Sequence, residues 1–430
     1  MVRLSAPLRI GDVTVSNRLY RAPVLECAGN GDDAVDRLID HLDPAAAAGA
    51  GLVCQGATIV RGEGGCAAPG MTRVHDDDFV ARLGRLTDRL HAHDTTVAIQ
   101  LEHGGLRSME TWHRGYRREH PGLEQLAVSR PPVPLRALDR LGFLDYDPHV
   151  LTTDEVYDLA DDFGRAAGRA VDAGYDIVHL AGANMGIVHQ FLSPFYNRRD
   201  DEFGDGVRFL AAVRDAVRDH AGDVPLMTKV PAETAAPAVI RRRLTREDAV
   251  AICRRLDRIG YDALVPVSGS VFWDMSIVRG EFPARAWRDE DFREGYVEAF
   301  GGRLRAGLVA LANRLQARRY DFAPAWNADL CRVVRDAVDV PVLCEGGVRD
   351  RPRIDRLLGD ACDAVGMARP FYAEPELPAR LLADAEASAV CASCNNCTVP
   401  QVAGAPGVCR TPVVLSEAGR LREAGAYDRR

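Results

Sequence analysis

Hydrophobic and polar positions along residues 151–182 follow the pattern of a helix that leads into a buried strand. Thr152 and Glu155 have the spacing of a capping box, which marks a helix start. Apolar residues then recur with a period of about 3.6 until Gly174. The short apolar run DIVHLAG comes directly afterwards. The segment therefore predicts a helix, a turn and a buried strand.

The same join of a helix to an apolar strand recurs along the chain. It appears in the segments AAAGAGLVCQGA, DRIGYDALVPVSG and LGDACDAVGMARP. Further candidate strands are RLYRAPV, TVAIQLEHGG, VPLMTKVP and VPVLCEGG, which brings the total to eight. Strands separated mostly by helical patterns predict an α/β fold whose parallel sheet closes into a (β/α)8 TIM barrel. A doubly wound open sheet is the competing arrangement.

Two long segments interrupt this pattern. Residues of about 106–150 follow the third candidate strand, and residues of about 270–325 follow the sixth. In a barrel both would lie on the C-terminal face, where active sites form, so each is a candidate lid. The stretch RLRAGLVALANRLQARRY in the second segment predicts a helix, for which an oligomer contact or packing role is an equally good interpretation. We assign residues 1–385 to the barrel and 386–430 to a cysteine-rich C-terminal extension.

Composition excludes several classes of function. Hydrophobic residues make up 47% and charged residues 27% of the 430 positions, as in a folded globular protein. The net charge of -8 provides no basic surface for nucleic acid or for an anionic membrane. The sequence has neither the apolar region of a secretory signal nor a run long enough to span a membrane. We therefore expect a cytoplasmic protein that acts on a small molecule.

Four of the eleven cysteines lie within nineteen residues near the C-terminus: Cys391, Cys394, Cys397 and Cys409. Because disulfides are rare in the reducing cytoplasm, this group is better interpreted as a set of metal ligands. Five other cysteines lie in apolar segments and are expected to be small core residues: Cys54, Cys253, Cys331, Cys344 and Cys362.

Two features indicate a cofactor that carries phosphate and negative charge. Gly346 and Gly347 end the seventh candidate strand and Arg369 ends the eighth, where barrels commonly bind phosphate, although a tight turn also explains the glycines. Lys229 lies in the fifth strand, where a cation is costly without a negative partner. A reduced flavin would supply that charge near N1 and O2. The alternative is a lysine that reaches solvent from the strand end.

Five separate motifs occur in one order along the chain: PLRIGDVTVSNRLYRAPV, AIQLEHGG, QFLSPFYNRRDDEFG, VPVLCEGGVRD and DAVGMARPFYAEPEL. In these motifs the sequence resembles the Old Yellow Enzyme class of flavin-dependent oxidoreductases, in the branch that contains 2,4-dienoyl-CoA reductase and trimethylamine dehydrogenase. The resemblance extends from about Leu4 to Pro412 and implies an FMN-binding barrel. Implied contacts to the isoalloxazine come from Pro23, Val24, Gly56, Ala57, Gln100 at the pyrimidine edge and Lys229 beside N1. Implied contacts to the phosphate come from Gly346, Gly347, Ala368 and Arg369.

The resemblance also implies that Cys391, Cys394, Cys397 and Cys409 hold a [4Fe-4S] cluster. The first three have C-x2-C-x2-C spacing, which suits three corners of a cubane, and the fourth comes twelve residues later. A zinc site more often uses two separated C-x2-C pairs. Structural zinc and unligated cysteines are the two alternatives.

The substrate-binding stretch departs from the family pattern. Members usually carry a polar anchor, a second anchor three residues later, and then Gly-Tyr, whose tyrosine donates a proton. Here the corresponding positions are Ala181, Asn184 and Met185-Gly186. Asn184 is thus the surviving carbonyl anchor, and the usual proton donor is missing. The proton would come from solvent or from another side chain, for which the candidates are Glu26, Cys27, His103, Tyr116, Tyr196 and Tyr320.

Two of the remaining candidates have alternative interpretations. His179 shares a strand face with Ala181, so it is either catalytic or a core histidine deeper in the barrel. Cys27 lies near the position where trimethylamine dehydrogenase attaches its flavin covalently, but the spacing from Pro23 differs. We interpret it as a covalent attachment point or as a free thiol near the site.

The sequence supports three hypotheses about function. The first is an FMN- and [4Fe-4S]-dependent oxidoreductase that reduces or dehydrogenates a small conjugated carbonyl compound, with NAD(P)H as electron donor. The second is an amine or C–H dehydrogenase whose electrons leave through the cluster. The third is a non-catalytic electron-transfer subunit. No G-x-G-x-x-G motif follows the cysteines, so electrons would enter from NAD(P)H directly at FMN or pass through the cluster to or from a ferredoxin- or flavodoxin-type partner. We also expect a homo-oligomeric state.

Overall fold

Eight parallel strands form a closed barrel in the computed structural model, which describes residues 3–62, 64–235, 240–272 and 274–428. In chain order they are β1 (Leu19–Arg21), β2 (Leu52–Ile59), β3 (Thr96–Glu102), β4 (Ile177–Leu180), β5 (Leu226–Glu233), β6 (Ala263–Gly269), β7 (Leu343–Cys344) and β8 (Ala364–Met367). They pair in the order β6, β5, β4, β3, β2, β1, β8, β7. A parallel bridge between Leu264 and Val342 joins β6 to β7. The predicted (β/α)8 barrel is confirmed, and the open sheet is excluded.

Helices between the strands cover the outside of the barrel. The principal ones are Ala34–Ala47, Asp77–His91, Thr153–Asp172, Gly206–Ala221, Arg246–Ile259, Ala328–Arg335, Arg351–Asp360 and Leu377–Ala383. Their apolar stripes pack against the outer strand faces, as Phe163 does in one core cluster with Val97 and Ile99. The predicted capping box is present. The Glu155 N–H donates to Thr152 Oγ1 at 3.3 Å, and the Thr152 N–H donates to Glu155 Oε2 at 2.7 Å.

An antiparallel hairpin of Leu8–Ile10 and Val13–Val15 precedes β1. Its apolar side chains share a cluster with Ala98 of β3 and Ile177 of β4, which point into the barrel. The turn of the hairpin lies beside Pro225, just before β5 begins. The hairpin therefore fills the N-terminal end of the barrel and leaves the C-terminal end for a site.

Both long insertions follow the C-terminal ends of their strands. The first contains the helices Met109–Trp112, Arg114–Glu119 and Val133–Arg140 and the parallel strand pair Gln125–Ala127 and Pro148–Val150. The second contains the helices Ala284–Arg288, Glu290–Phe300 and Arg303–Arg319. The last of these confirms the helix predicted from RLRAGLVALANRLQARRY.

The described part of the C-terminal extension packs against the barrel. It contains a 3-10 turn at Val399–Ala403 and a helix at Pro412–Glu423. The Cys409 N–H donates to the Tyr372 carbonyl oxygen at 3.1 Å, and the Gly407 N–H donates to that of Glu26 at 3.2 Å. Within the described residues, no helix combines the length and apolar character that crossing a membrane requires.

Candidate active site

A cavity of about 1020 Å³ opens at the C-terminal ends of the strands. It brings together nearly all of the residues that the sequence assigns to cofactor binding: Pro23, Val24, Ala57, Gln100, Lys229, Gly346, Gly347, Ala368 and Arg369. These residues come from loops and strand ends spread over the chain, and the barrel gathers them because parallel strands all end at one face. The exception among the predicted cofactor contacts is Gly56, which does not line the cavity.

Gly56 lies one layer behind the wall, where it supports the loop after β1. Its N–H donates to Glu26 Oε2 at 2.9 Å, and a side chain at this position would collide with the Val24 carbonyl oxygen. Glu26 is buried and forms an ion pair with Arg21 at 2.8 Å. Burial raises the pKa of Glu26, and Arg21 opposes that rise. Glu26, a candidate proton donor, therefore has a structural position outside the cavity.

The end of the cavity where the sequence predicts a phosphate site is a glycine turn beneath an aromatic ring. Gly346 and Gly347 have φ values of 100° and 72°, which favour glycine. A Cβ on Gly346 would lie 2.7 Å from Trp326 Cε2, so the close approach of the ring also requires glycine. This turn has backbone N–H groups and no side chain, as a phosphate site needs.

Two arginines line this end of the cavity, and they differ in their partners. Arg369 donates to the carbonyl oxygens of Val278 and Arg279, at 3.3 and 3.0 Å, and to the Asn395 side chain. Arg349 lies over the Phe322 ring at 3.9 Å, and its buried Nη2 has no hydrogen-bond partner in the described protein. Sequence reasoning missed Arg349, although it stands only two residues after Gly347 in the motif VPVLCEGGVRD.

Lys229 has a negative partner within the protein. Its Nζ lies 2.6 Å from Glu345 Oε2, and the Tyr20 hydroxyl donates to Glu345 Oε1 at 2.6 Å. The sequence led us to expect that a flavin would supply this charge. Because 116 residues separate Lys229 from Glu345, no local pattern could reveal their pairing across the barrel.

His179 lies below the cavity and holds Gln100. Its Nδ1 is 3.0 Å from Gln100 Nε2, and the histidine is completely buried. Burial lowers the pKa of His179 well below its usual value, and nearby Lys229 lowers it further. A neutral imidazole that accepts from the amide would turn the Gln100 oxygen toward the cavity. The geometry favours the core interpretation of His179 over a catalytic one.

Asn184 lies on the cavity wall in a constrained turn. Asn184 and Met185 have φ values of 64° and 62°, an uncommon conformation for two successive residues other than glycine. Arg107 Nη1 donates to the Asn184 carbonyl oxygen at 2.9 Å. When the side-chain amide of Asn184 is oriented with its oxygen toward Arg107, that oxygen also accepts from Arg107 Nη1 and Nη2 at 3.0 and 3.1 Å. The amide NH2 group then remains available to a ligand.

Buried groups hold this turn from the other side. His189 Nδ1 accepts from the Met185 N–H at 2.9 Å, and His189 Nε2 lies 2.8 Å from Glu233 Oε1. Gln190 Nε2 donates to the Met185 carbonyl oxygen at 2.7 Å. These contacts offset the strain of the turn and fix Asn184 in place. Arg107, His189 and Glu233 were not identified from the sequence.

The other candidate proton donors divide by position. Tyr320 lies on the cavity wall, with its hydroxyl 3.3 Å from Thr234 Oγ1, whereas Tyr116 and Tyr196 do not line this cavity. His103 also lies outside the wall, and burial lowers its pKa to about 3. Cys27 lies outside it as well, and burial raises the pKa of its thiol to about 12, which disfavours the reactive thiolate.

Both insertions contribute to the wall of the cavity. The first supplies Trp112, Leu138, Phe143 and Leu144, and the second supplies Phe272, Met275, Phe300, Leu308, Val309 and Ala312. The helix Arg303–Arg319 also exposes leucines that do not line the cavity, of which Leu304 is 79% and Leu315 is 58% exposed. The insertions thus form an apolar region beside the polar groups at the strand ends.

The four C-terminal cysteines are free, half-buried thiols in one region. Burial raises the pKa of Cys397 to about 12, nearby Arg369 opposes that rise, and the other three thiols add to it. Cys394 Sγ lies 2.9 Å from Thr411 Oγ1. Four thiols at this spacing have the donor chemistry that an iron–sulfur cluster requires. Among the described residues, however, no group of three or more His, Cys, Asp or Glu side chains is arranged so that it could hold a metal ion.

Comparison with known proteins places these features in a family. The family model described as NADH:flavin oxidoreductase / NADH oxidase matches residues 3–264. A metal reductase of Desulforamulus reducens is 26% identical over 432 residues, which cover 98% of this chain and 54% of that protein. A 4,4'-dithiodibutanoate disulfide reductase of Rhodococcus erythropolis is 27% identical over 429 residues, which cover 96% of this chain and 97% of that protein.

Solved structures agree with the fold. Histamine dehydrogenase from Rhizobium sp. 4-9 matches with a TM-score of 0.71 and 20% identity, over 96% of this chain and 53% of that one. The chain spans about half the length of this enzyme and of the metal reductase. Since the family model covers more than half of the sequence, this protein belongs to the NADH:flavin oxidoreductase / NADH oxidase family.

Proposed function

We propose that this protein is an FMN- and [4Fe-4S]-dependent oxidoreductase that transfers hydride through flavin N5 to or from a small conjugated carbonyl compound. The observation that carries the proposal is the single cavity that contains Gln100, Lys229, the Gly346-Gly347 turn and Asn184. FMN, when bound there, would supply the hydride chemistry. The side chains of this protein would bind, orient and polarise the reactants.

The residues present fit the parts of FMN. The Gly346-Gly347 turn offers backbone N–H groups to the phosphate, and Arg349 offers a buried N–H group that lacks a protein partner. Gln100, oriented by His179, would contact the pyrimidine edge. Lys229 would lie beside N1 and O2. Arg369 would support this end of the site through its contacts with the second insertion and with the extension.

Asn184 would anchor the substrate oxygen. Arg107 accepts no hydrogen bond and donates to the amide oxygen of Asn184, so the amide NH2 group is both oriented and polarised for donation. A donor fixed in this way stabilises charge that develops on a carbonyl oxygen during hydride addition. The required proton would come from Tyr320, the candidate donor on the cavity wall, or from solvent.

The four clustered cysteines would bind the iron–sulfur cluster. The support is the C-x2-C-x2-C spacing, with Cys409 as the fourth thiol from a returning segment of the chain. The Thr411 hydroxyl near Cys394 could donate to the thiolate sulfur and help to set the properties of the cluster. Measurement of metal content tests this assignment, and zinc without iron would contradict it.

A second candidate function is an amine or C–H dehydrogenase. The observation that favours it is Ala181, which lies on the cavity wall where a first carbonyl anchor would be expected. Such an enzyme would pass electrons to a ferredoxin- or flavodoxin-type partner. A non-catalytic electron-transfer subunit is the remaining alternative. We further propose a cytoplasmic location and a homo-oligomeric state.

Spectroscopy of anaerobically purified protein tests these functions. We expect flavin absorbance together with the broad iron–sulfur absorbance, and about four irons per chain. Rapid bleaching of the flavin by NADPH or NADH, followed by recovery on addition of an enone, supports the reductase. Bleaching by an amine alone supports the dehydrogenase. A bound flavin that no nicotinamide, amine or alcohol reduces would favour the electron-transfer subunit.

A further inference from the structure

Glu345 occupies an unusual place for a carboxylate, because it lies on the cavity wall directly before the Gly346-Gly347 turn. One oxygen is 2.6 Å from Lys229 Nζ, and the other accepts from the Tyr20 hydroxyl at 2.6 Å. The side chains of Glu345 and Lys229 are only 12% and 16% exposed. Solvent and salt therefore screen this pair less than they screen a surface ion pair.

The surroundings hold Glu345 in one position. Asn327 Nδ2 donates to the Glu345 carbonyl oxygen at 2.9 Å and fixes the end of β7. Tyr20 lies on β1 and is almost completely buried, so its hydroxyl cannot turn to solvent. Both contacts favour a carboxylate that remains next to Lys229 whether or not the cavity is filled.

We infer that Glu345 lowers the reduction potential of the bound flavin by offsetting the charge of Lys229. This inference rests on the proposed FMN site. When NAD(P)H transfers a hydride to FMN, two electrons and one proton are gained, and the flavin acquires negative charge near N1 and O2. A cation beside these atoms stabilises that charge, and a carboxylate in contact with the cation opposes the stabilisation.

The consequence concerns the direction of electron flow. With Glu345 present, the reduced flavin binds less favourably relative to the oxidised flavin, so it is a stronger reductant toward the substrate. Without Glu345, the flavin would accept hydride more readily and release it less readily. The Lys229–Glu345 pair therefore sets the driving force of the reaction rather than the affinity for the cofactor alone.

The test is the midpoint potential of FMN bound to the full chain, measured by equilibrium titration against a reference dye. Glu345→Gln retains the shape and removes the charge. We expect its equilibrium to shift at least tenfold toward reduced FMN, which is about 30 mV upward for a two-electron couple. Glu345→Met removes the same charge with different packing and should shift the equilibrium in the same direction. An unchanged or lower potential in a folded variant that binds FMN overturns the inference.

Glu374→Gln is the matched control. Glu374 is buried, pairs with Arg380 and accepts from the Tyr427 hydroxyl at 2.9 Å, but it does not line the cavity. We expect less than a twofold shift for this variant. A shift as large as that of Glu345→Gln would show a general effect of charge and overturn the inference. If the unaltered protein fails to bind FMN, the proposed function fails and the inference fails with it.

Discussion

Replacing Arg107 by methionine tests whether Asn184 depends on its cationic neighbour. Arg107 donates to the backbone oxygen of Asn184 and to its side-chain oxygen, and its own side chain is 17% exposed. Methionine has a similar length but no donor, so the amide of Asn184 would lose both its orientation and its polarisation. Glu102, 3.5 Å from Arg107, would also lose a positive neighbour.

The magnitude follows from the type of contact. Hydrogen bonds to a charged group contribute about 1.5–3 kcal/mol, and each ~1.4 kcal/mol of transition-state stabilisation is a factor of ten in rate. We therefore expect Arg107→Met to lower kcat/KM for an enone by about 10- to 150-fold. Reduction of the flavin by NADPH, in which the enone takes no part, should change much less. Stopped-flow measurement of the two half-reactions separates these effects.

A double-mutant cycle distinguishes a positioning role from a general effect of charge. If Arg107 acts through Asn184, adding Arg107→Met to Asn184→Ala should slow the enone reaction by less than about twofold further. Arg319→Met is the control, since Arg319 also lines the cavity but donates to the Ala235 carbonyl oxygen. The reasoning would be refuted if the rate losses of Arg107→Met and Asn184→Ala in the enone reaction were fully additive. Equal rate losses for Arg107→Met and Arg319→Met would refute it as well.

Three further outcomes are expected. Gly347→Ala should reduce bound FMN at least tenfold, because the φ of 72° at Gly347 and the nearby Ala323 carbonyl oxygen oppose a side chain. Bound FMN is measured as flavin absorbance per chain after saturation and gel filtration. The control Gly84→Ala, in open space on a helix, should retain full flavin. Cys397→Ser should reduce iron per chain, whereas Cys331→Ser in the barrel core should not, and equal iron in both would contradict the ligand assignment. Arg349→Gln should weaken FMN binding by about tenfold or more in a fluorescence titration, as expected for loss of a charge-assisted bond worth about 1.5–3 kcal/mol; unchanged affinity would remove Arg349 from the phosphate site.

The elements of the barrel could be predicted because each leaves a local pattern. The helix Thr153–Asp172 begins at its capping box, and the eight strands are short apolar runs bounded by polar or small residues. Those runs end at one face of a parallel barrel, which places Lys229 and Gly347 near one another, whereas Gln100 was assigned to the site through the family resemblance. The cavity wall contains all three.

The partners of these residues could not be predicted in the same way. Glu345 lies 116 residues from Lys229, and Arg107 lies 77 residues from Asn184. Periodicity describes which face of an element is buried, but it carries no information about which polar side chains meet across the barrel. His103 shows the converse case, since a histidine after a strand end suggested chemistry, whereas packing against Gly65 buries its side chain behind the cavity wall.

Arg369 lines the cavity, but its guanidinium is already occupied by hydrogen bonds within the protein. Its guanidinium contacts the Val278 and Arg279 carbonyl oxygens of the second insertion and the Asn395 side chain of the cysteine-rich extension. Asn395 lies between Cys394 and Cys397, so this arginine joins the glycine-turn end of the cavity to the segment that bears the thiols. Since Arg349 retains a buried N–H group without a protein partner, it is the better source of charge for a phosphate. The two arginines therefore have separate roles at one end of the cavity, because Arg349 would meet the cofactor while Arg369 fixes the extension beside it.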